Sequence, residues 1–176
     1  MKKILIVVDM QDDFIYGKLG TPEAREIVPN VWKKIDEYHE RGDDVYYTLD
    51  THGPEYLETR EGKYLPVPHC MVGDDGRNPV CRIMPKDRVI PKDNFAYLFW
   101  TRTLPREAIS VFPNMMIEIV GVCTDICVIS NALILRSECP EVDIVVDASC
   151  CAGTTPEKHK AALEVMKSCH IDISNE

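Results

Sequence analysis

The sequence has no long hydrophobic run and no cluster of basic residues along its 176 positions. A membrane-spanning helix needs roughly 18 or more apolar residues, and the apolar run at residues 4–8 is also too short for the core of a secretion signal. The formal net charge of -9 disfavours attraction to nucleic acid or to an anionic membrane. We therefore expect a cytoplasmic protein that binds neither nucleic acid nor membranes.

Internal repeats and Gly/Ser-rich linkers are also missing, so a single domain over residues 1–176 is the simplest organisation. That length is enough to bury a sizeable core. The chain has eight cysteines, which in a small secreted protein would be expected to form disulfides. Because no export signal is seen, we expect free thiols instead.

Strand-like and helix-like segments alternate along the chain. A continuous apolar, β-branched run predicts a strand at residues 4–8. Further strands are predicted at residues 45–49, 88–92, 115–122 and 142–146, with a candidate edge strand at 171–173. Apolar residues at helical spacing predict a helix at about 27–42. Thr124 is predicted to cap a second helix that ends at about Arg136. Thr155-Pro156 begins the last predicted helix, whose apolar face consists of Ala162, Val165, Met166 and Cys169. The alternation predicts a parallel sheet with helices on both faces.

Reactive side chains lie where four of these strands end. Asp9 follows the first strand, Asp50 the second, and Lys92 ends the third. Residues 121–127, Gly-Val-Cys-Thr-Asp-Ile-Cys, lie at the end of the fourth. In parallel sheets, ligands bind outside the carboxyl ends of the strands, so we expect a functional site at this edge.

The segment between the second and third strands, residues 51–87, is long and has little periodicity. A connection of this length in a compact domain is usually functional or disordered. It contains His52, Glu61 and His69 among prolines and glycines. We interpret it as a binding loop inserted in the domain.

Cys127 is the strongest candidate for a reactive side chain. It lies about three residues into the helix predicted to begin at Thr124, where free backbone N–H groups and the helix dipole favour an anion. A thiolate is stabilised there, a nearby Lys92 would lower its pKa further, and Asp9 is the candidate proton acceptor and donor. The alternative is a buried cysteine that packs as a small hydrophobic residue.

Three motifs connect these residues to a known family. They are residues 6–14, Ile-Val-Val-Asp-Met-Gln-Asp-Asp-Phe; the lysine of residues 89–92, Val-Ile-Pro-Lys; and residues 121–128, Gly-Val-Cys-Thr-Asp-Ile-Cys-Val. In order and spacing the sequence resembles the isochorismatase-like cysteine hydrolases, and within them the nicotinamidase/pyrazinamidase branch. The resemblance implies an α/β fold of three layers (α-β-α), Rossmann-like, with about six mostly parallel strands.

The resemblance also implies a catalytic arrangement. Cys127 is the implied nucleophile, Asp9 the general acid and base, and Lys92 the residue that orients and polarises them. A cis peptide between Val122 and Cys123 is implied, with the N–H groups of Cys123 and Cys127 forming an oxyanion hole. The implied reaction is hydrolysis of a small aromatic carboxamide, above all nicotinamide to nicotinate and ammonia, through a Cys127 thioester.

Asp50, His52 and His69 form a candidate metal site. A carboxylate and two imidazoles can bind a divalent transition metal, and residues two apart on a strand share a side. The alternative is an N-cap aspartate with two solvated histidines. The resemblance favours the metal, because residues 65–70 look like the Pro-rich continuation and second histidine of nicotinamidases. Zinc is the first expectation, manganese or iron the alternatives, and no nucleotide cofactor is expected.

The fourth metal ligand is left open by the sequence. Many relatives have a third histidine between these elements, and residues 53–68 contain none. Glu61 is the first choice, because some relatives place a glutamate at the comparable position. Glu58 is the second choice, and water would complete the shell.

A pocket for a flat aromatic substrate is predicted around Phe14, Tyr97 and Val122. For each aromatic residue, packing in the core is the alternative. Residues 93–100 differ from the Ser-rich segment usual in nicotinamidases. Within the family, a hydrolase acting on carbamoyl or ureido groups is therefore the alternative.

Two further functions compete with hydrolysis. An aspartate-based phosphotransfer enzyme would also place Asp9 after its first strand, but the second aspartate it needs is replaced by Gln11, and no Gly-rich phosphate loop follows. A metal-binding module without turnover would need no reactive thiol. Relatives are often oligomeric, so the expected protein is a homo-oligomer with a small-molecule substrate.

The other cysteines and histidines are predicted to be structural. Cys150 and Cys151 are expected just after the end of the fifth strand, close to the site. His39, His159 and His170 are expected to be ordinary surface or helix histidines.

Overall fold

The computed structural model describes residues 1–110 and 114–176 and contains a six-stranded sheet. In chain order the strands are β1 (Lys2–Val8), β2 (Asp44–Asp50), β3 (Arg88–Lys92), β4 (Met115–Val122), β5 (Asp143–Ala152) and β6 (Asp172–Ser174). Across the sheet they lie in the order β3-β2-β1-β4-β5-β6, and every neighbouring pair is parallel. The predicted α/β sheet is confirmed.

Helices connect the strands in the described part of the chain. They are α1 (Asp12–Ile15), α2 (Pro22–Glu26), α3 (Val28–Arg41), α4 (Arg60–Tyr64), α5 (Trp100–Thr103), α6 (Ile129–Glu138) and α7 (Pro156–Ser168). Short 3-10 turns occupy Tyr56–Glu58, Asp75–Arg77 and Arg106–Ile109, and a π-helical turn occupies Thr124–Val128. The predicted ends of two helices are confirmed. Gly42 ends α3 in the left-handed conformation at φ 76°, and the Thr155 side chain caps α7 by accepting from Lys158 N–H.

The core lies on both faces of the sheet, because β1 is buried on both sides. Ile4, Ile6 and Val8 pack on the face that is covered by α5, α6 and α7. Leu5 and Val7 point to the opposite face and pack with α1, α2 and α3. This alternation follows the two-residue period of a strand and yields the three-layer architecture.

Three predicted details differ in the structure. β5 continues to Ala152, so Cys150 and Cys151 lie within the strand and not after it. The pairing of β4 with β5 is irregular after Ile119 and resumes where Gly121 pairs with Cys151. On α7, Val165 is 49% exposed, because the buried face is centred on other residues, namely Ala162, Leu163 and Met166. The edge strand is shifted by one residue, which is within the usual uncertainty of strand ends.

The strand order places the site at the edge formed by the carboxyl ends. β1 leads through β2 to β3 on one side, and β4 to β6 lie on its other side, so the topological switch point lies between β1 and β4. These two strands approach closely where Val8 pairs with Gly121. Gly121 has φ +118°, and a Cβ there would collide with the Val8 carbonyl oxygen, so the approach requires glycine.

Two further expectations concern the chain as a whole. None of the helices in residues 1–110 and 114–176 combines the length and the apolar character that crossing a membrane requires. All eight cysteines are free thiols, as predicted. The expected homo-oligomer and cytoplasmic location stay predictions.

Candidate active site and metal centre

Lys92 lies at the centre of a buried group of reactive side chains. Its Nζ is 2.7 Å from Asp9 Oδ2, 3.3 Å from Asp50 Oδ1 and 3.7 Å from Cys127 Sγ. Burial alone would lower the pKa of Lys92, but the charges of Asp9 and its neighbours outweigh it and raise that pKa above its ordinary value. The amine is therefore a positive charge that compensates the buried carboxylates. The structure thus brings together the predicted Asp9, Lys92 and Cys127.

Asp9 is held in position by its backbone and by β2. The chain leaves β1 with Asp9 at a φ of 49°, and Thr48 donates its hydroxyl to Asp9 Oδ1 at 2.7 Å. Burial raises the pKa of the Asp9 carboxyl, and Lys92 offsets part of this rise. A carboxyl group with a raised pKa is well suited to accept and return a proton.

Cys127 lies on the π-helical turn Thr124–Val128, which is called the Cys127 turn below. The carbonyl of Cys123 accepts hydrogen bonds from the N–H groups of both Ile126 and Val128, and the Val122–Cys123 peptide is cis, as the resemblance implied. The prediction of Thr124 as a side-chain N-cap is wrong. Its buried hydroxyl lies 2.8 Å from His159 Nδ1 instead, because a tertiary partner replaces the backbone N–H.

The ionisation of Cys127 also differs from the sequence-based expectation. Burial raises the pKa of the Cys127 thiol well above its usual range, Asp9 raises it further, and Lys92 opposes them only in part. The expectation of a lowered pKa from the helix terminus is therefore wrong for the protein without substrate. Cys127 rests as a thiol beside a carboxylate that can take its proton.

Asp50, His52, Glu61 and His69 form a second group, called the metal-ligand cluster below. Their candidate ligand atoms all lie within 4.8 Å of one another. Asp50 Oδ2 is 2.8 Å from His52 Nε2 and 3.3 Å from His69 Nε2. Glu61 Oε1 is 3.7 Å and 3.6 Å from the same two nitrogens. Glu61, the first choice from the sequence, belongs to the cluster, and Glu58 does not.

The donor set of the cluster fits a transition metal. Two imidazole nitrogens and two carboxylates are ligands that zinc, manganese and iron accept. His69 Nδ1 lies 2.8 Å from the Val67 carbonyl, so that nitrogen carries the proton and Nε2 is left as the ligand atom. The carboxyl of Asp50 joins the two groups, because one oxygen faces the histidines and the other faces Lys92.

A cavity of about 1200 Å³ opens onto both groups. Cys127 and the four residues of the metal-ligand cluster line it together with the predicted Phe14. Phe14 lies edge-on to the His69 ring, with 5.3 Å between ring centroids. A small molecule in this cavity can therefore contact the thiol and the cluster at once.

Comparison with known proteins identifies the family. The Isochorismatase domain family matches residues 3–175. The chain belongs to this family. It is 30% identical over 182 residues to the uncharacterized isochorismatase family protein PncA of Bacillus subtilis (strain 168), with 93% of each protein covered.

Solved structures agree with the family. The pyrazinamidase of Pyrococcus horikoshii in complex with zinc has a TM-score of 0.83 and 27% identity, and all of both chains is covered. The N-carbamoylsarcosine amidase of Thermoplasma acidophilum has a TM-score of 0.79 and 26% identity, with 100% of this chain and 98% of that one covered. The isochorismatase-family chain is thus an amidohydrolase.

The predicted pocket of this isochorismatase-family hydrolase needs correction. Tyr97 packs against Trp100 with ring centroids 5.1 Å apart, and its hydroxyl lies 2.9 Å from Thr103 Oγ1. Val122 is buried in the core on the α3 face. Neither lines the cavity, whereas Phe95 does, because the loop after β3 directs Tyr97 inward and leaves Phe95 49% exposed.

Sequence reasoning also missed two residues that hold the metal-ligand cluster of the hydrolase. Gln11 donates from Nε2 to the Asp50 carbonyl at 2.9 Å and accepts the Asp50 N–H at 2.7 Å. Asp13 accepts the N–H of Cys70, next to His69, at 2.8 Å. The signal was the run of polar residues after β1, of which the structure buries Asp9, Gln11 and Asp13.

The negative charge of Asp9 beside the Cys127 thiol predicts the effect of Asp9→Asn. Removing this negative charge lowers the pKa of Cys127, so more thiolate exists at any pH below it. We expect Cys127 to be alkylated by iodoacetamide at least about tenfold faster, equivalent to about one pKa unit, while turnover is lost. Mass spectrometry of the Cys127 peptide measures the rate, with Cys169 in the same sample as control. Slower alkylation of the variant would contradict this account.

Proposed function

We propose that the protein hydrolyses a small aromatic carboxamide, above all nicotinamide, to the carboxylate and ammonia through a thioester on Cys127. The observation that carries the proposal is the position of Lys92, whose ammonium contacts Asp9, Asp50 and Cys127 beside the cavity. A nucleophile, a proton carrier and a charge that stabilises both are thereby available to one bound substrate.

Asp9 moves protons in each step of the proposed reaction. Its carboxylate takes the thiol proton of Cys127, and the sulfur attacks the carboxamide carbon. Asp9 then protonates the leaving nitrogen, so the C–N bond breaks and ammonia leaves the thioester. In the second half, Asp9 takes a proton from the attacking water and returns it to the Cys127 sulfur when the C–S bond breaks.

Charge develops on the carbonyl oxygen in both halves of the reaction. The N–H groups of Cys123 and Cys127 are the proposed hydrogen-bond donors to this oxygen. One oxyanion-hole donor typically stabilises the transition state by about 3–4 kcal/mol. Both residues line the cavity. Ile126 and Val128 direct their own N–H groups to the Cys123 carbonyl instead.

We propose that Asp50, His52, Glu61 and His69 hold a zinc ion, with water completing its shell. A bound metal would supply a Lewis-acidic position for the ring nitrogen of the substrate. Support comes from the donor set of the cluster and from the similar pyrazinamidase, which was crystallised in complex with zinc. Phe14 beside His69 offers a face for the substrate ring.

The metal proposal predicts different effects of the same substitution at two glutamates. Glu61→Gln removes a charged ligand, so we expect zinc affinity to fall by at least about tenfold. Glu58→Gln makes the matched change outside the cluster and should bind zinc as the wild type does. Competition with a chromophoric chelator measures both, and repeating it with manganese and iron ranks the metals. Equal affinities of the two variants would remove Glu61 from the site.

A second candidate substrate is a carbamoyl or ureido compound. It is supported by the similarity to an N-carbamoylsarcosine amidase and by the cationic side chains of Arg60 and Lys158 on the cavity, which could face a substrate carboxylate. The metal-ligand cluster favours the aromatic carboxamide.

Ammonia release decides between the two. Nicotinamide, pyrazinamide and an N-carbamoyl amino acid are each offered to protein loaded with zinc, manganese or iron. We expect kcat/KM of at least about 10⁴ M⁻¹s⁻¹ with nicotinamide or pyrazinamide. Turnover of the carbamoyl compound alone would establish the second candidate instead, and no turnover of any of them would refute the proposed reaction.

A further inference from the structure

The first two residues of the Cys127 turn contact α7 and the segment that leads into α7. Thr124 is fully buried, and its Oγ1 lies 2.8 Å from Nδ1 of His159 on α7. Asp125 accepts two hydrogen bonds from Thr154, from its N–H at 2.7 Å and its hydroxyl at 2.6 Å. Both hydrogen-bonded contacts join the segment that follows β4 to the segment that follows β5. The paired residues are 35 and 29 positions apart in the sequence.

The space between the turn and α7 is tightly filled. A Cβ placed on Gly153 would lie 2.9 Å from His159 Cβ and 3.0 Å from Asp125 Oδ1. A larger residue at position 153 would therefore push His159 or Asp125 aside. The geometry leaves the Cys127 turn little freedom to shift as long as both contacts persist.

The form of the His159 side chain fits this contact. Burial lowers the pKa of His159, although Asp125 on the turn and Glu176 at the C-terminus oppose this effect. The imidazole is therefore neutral at neutral pH, and its Nδ1 can accept the Thr124 hydroxyl while Nε2 carries the proton. The buried Thr124 hydroxyl thereby has a hydrogen-bond partner, and it does not compete for the backbone groups of the Cys127 turn.

We propose that His159 is a positioning residue, which through Thr124 holds the Cys127 turn where the sulfur meets Lys92 and Asp9. This inference rests on the proposed hydrolase reaction and adds a residue that does not line the main cavity. The Cys127 turn runs directly into α6 and forms the start of that helix, where the first backbone N–H groups have no partner within the helix. The sulfur therefore depends on contacts of the turn with the rest of the fold.

Four variants test the role of the hydrogen bond. His159→Leu and Thr124→Val each remove it with little change in volume, and we expect kcat to fall by about 10- to 100-fold, as for small displacements of reacting groups. KM should stay unchanged, because substrate contacts are kept. The double variant should lose no more than either single variant. His159→Asn, whose Oδ1 lies near the position of Nδ1, should retain most of the wild-type kcat.

The control is His170→Asn. His170 is exposed and has a φ of 59°, a conformation that asparagine tolerates. It should leave kcat unchanged, and thermal unfolding of each variant shows whether the fold is kept. Wild-type kcat in His159→Leu, or equal losses in His159→Asn and His159→Leu, would overturn the proposal. If His159→Leu does not fold, Thr124→Val and His159→Asn decide the question by the same criteria.

A spectroscopic experiment does not depend on turnover. In ¹⁵N-histidine NMR, we expect wild-type His159 to be a single tautomer protonated at Nε2, and Thr124→Val to change its Nδ1 signal. An unchanged signal would overturn the inference even if the enzyme is active. A changed signal in a protein that hydrolyses no carboxamide would leave the contact established and refute the proposed reaction alone.

Discussion

Replacement of Cys127 by alanine is expected to reduce amide turnover by at least about 10⁴-fold, because covalent catalysis loses its nucleophile and the remaining groups cannot form the thioester. The fold should persist. Cys127 is 7% exposed and packs in the core on the sheet face that α5, α6 and α7 cover. Loss of its sulfur therefore costs roughly 1 kcal/mol of unfolding free energy, as for one buried CH₂ group. Ammonia release and urea unfolding measure the two effects.

Cys169→Ala is the matched control for this experiment. Cys169 is a free, half-buried thiol at the end of α7 and does not line the cavity. Its removal should leave kcat and KM unchanged. Full activity of Cys127→Ala, or equal losses in both variants, would refute a mechanism based on the Cys127 sulfur.

Replacement of Lys92 by methionine is expected to damage both stability and activity. Methionine has a similar length but no charge, so Asp9 is left as a buried carboxylate without its partner at 2.7 Å. Breaking one side of a buried ion pair typically costs about 3–5 kcal/mol. Activity should fall by at least about 10³-fold, because Cys127 also loses the charge that stabilises its thiolate.

The double variant Asp9→Asn/Lys92→Met separates the two effects. It removes both charges of the pair, so most of the lost unfolding free energy should return while turnover stays absent. Urea unfolding of the wild type, the single variant and the double variant makes the comparison. A double variant as unstable as Lys92→Met would show that the cost does not arise from the unpaired Asp9 carboxylate.

The strands and the ends that carry reactive groups could be predicted from sequence because their signals are local. Strands β3 and β4 lie where they were expected, at Arg88–Lys92 and Met115–Val122. Asp9 and Lys92 could then be placed together, since carboxyl ends of parallel strands share one edge.

Other features depend on contacts between distant parts of the chain. The partner of Thr124 is His159, 35 positions later, so local capping rules selected the wrong bond. The loop after β3 has no periodicity that distinguishes Phe95 from Tyr97, and only the packing of Tyr97 on Trp100 decides which ring reaches the cavity. The pKa of Cys127 was mispredicted because burial, its largest cause, cannot be read from helix position.

The two hydrogen bonds between the Gln11 side chain and the Asp50 backbone determine how this part of the cavity can open. The Asp50 amide is bonded to a side chain 39 positions earlier and completely buried, so its hydrogen should exchange with solvent only when β1 and β2 separate. Helix α4, which carries Glu61, is five residues long and largely exposed, and its amides should exchange much sooner. The side of the cavity formed by Asp50 should therefore open only together with the sheet, whereas the side formed by α4 should open locally and more often.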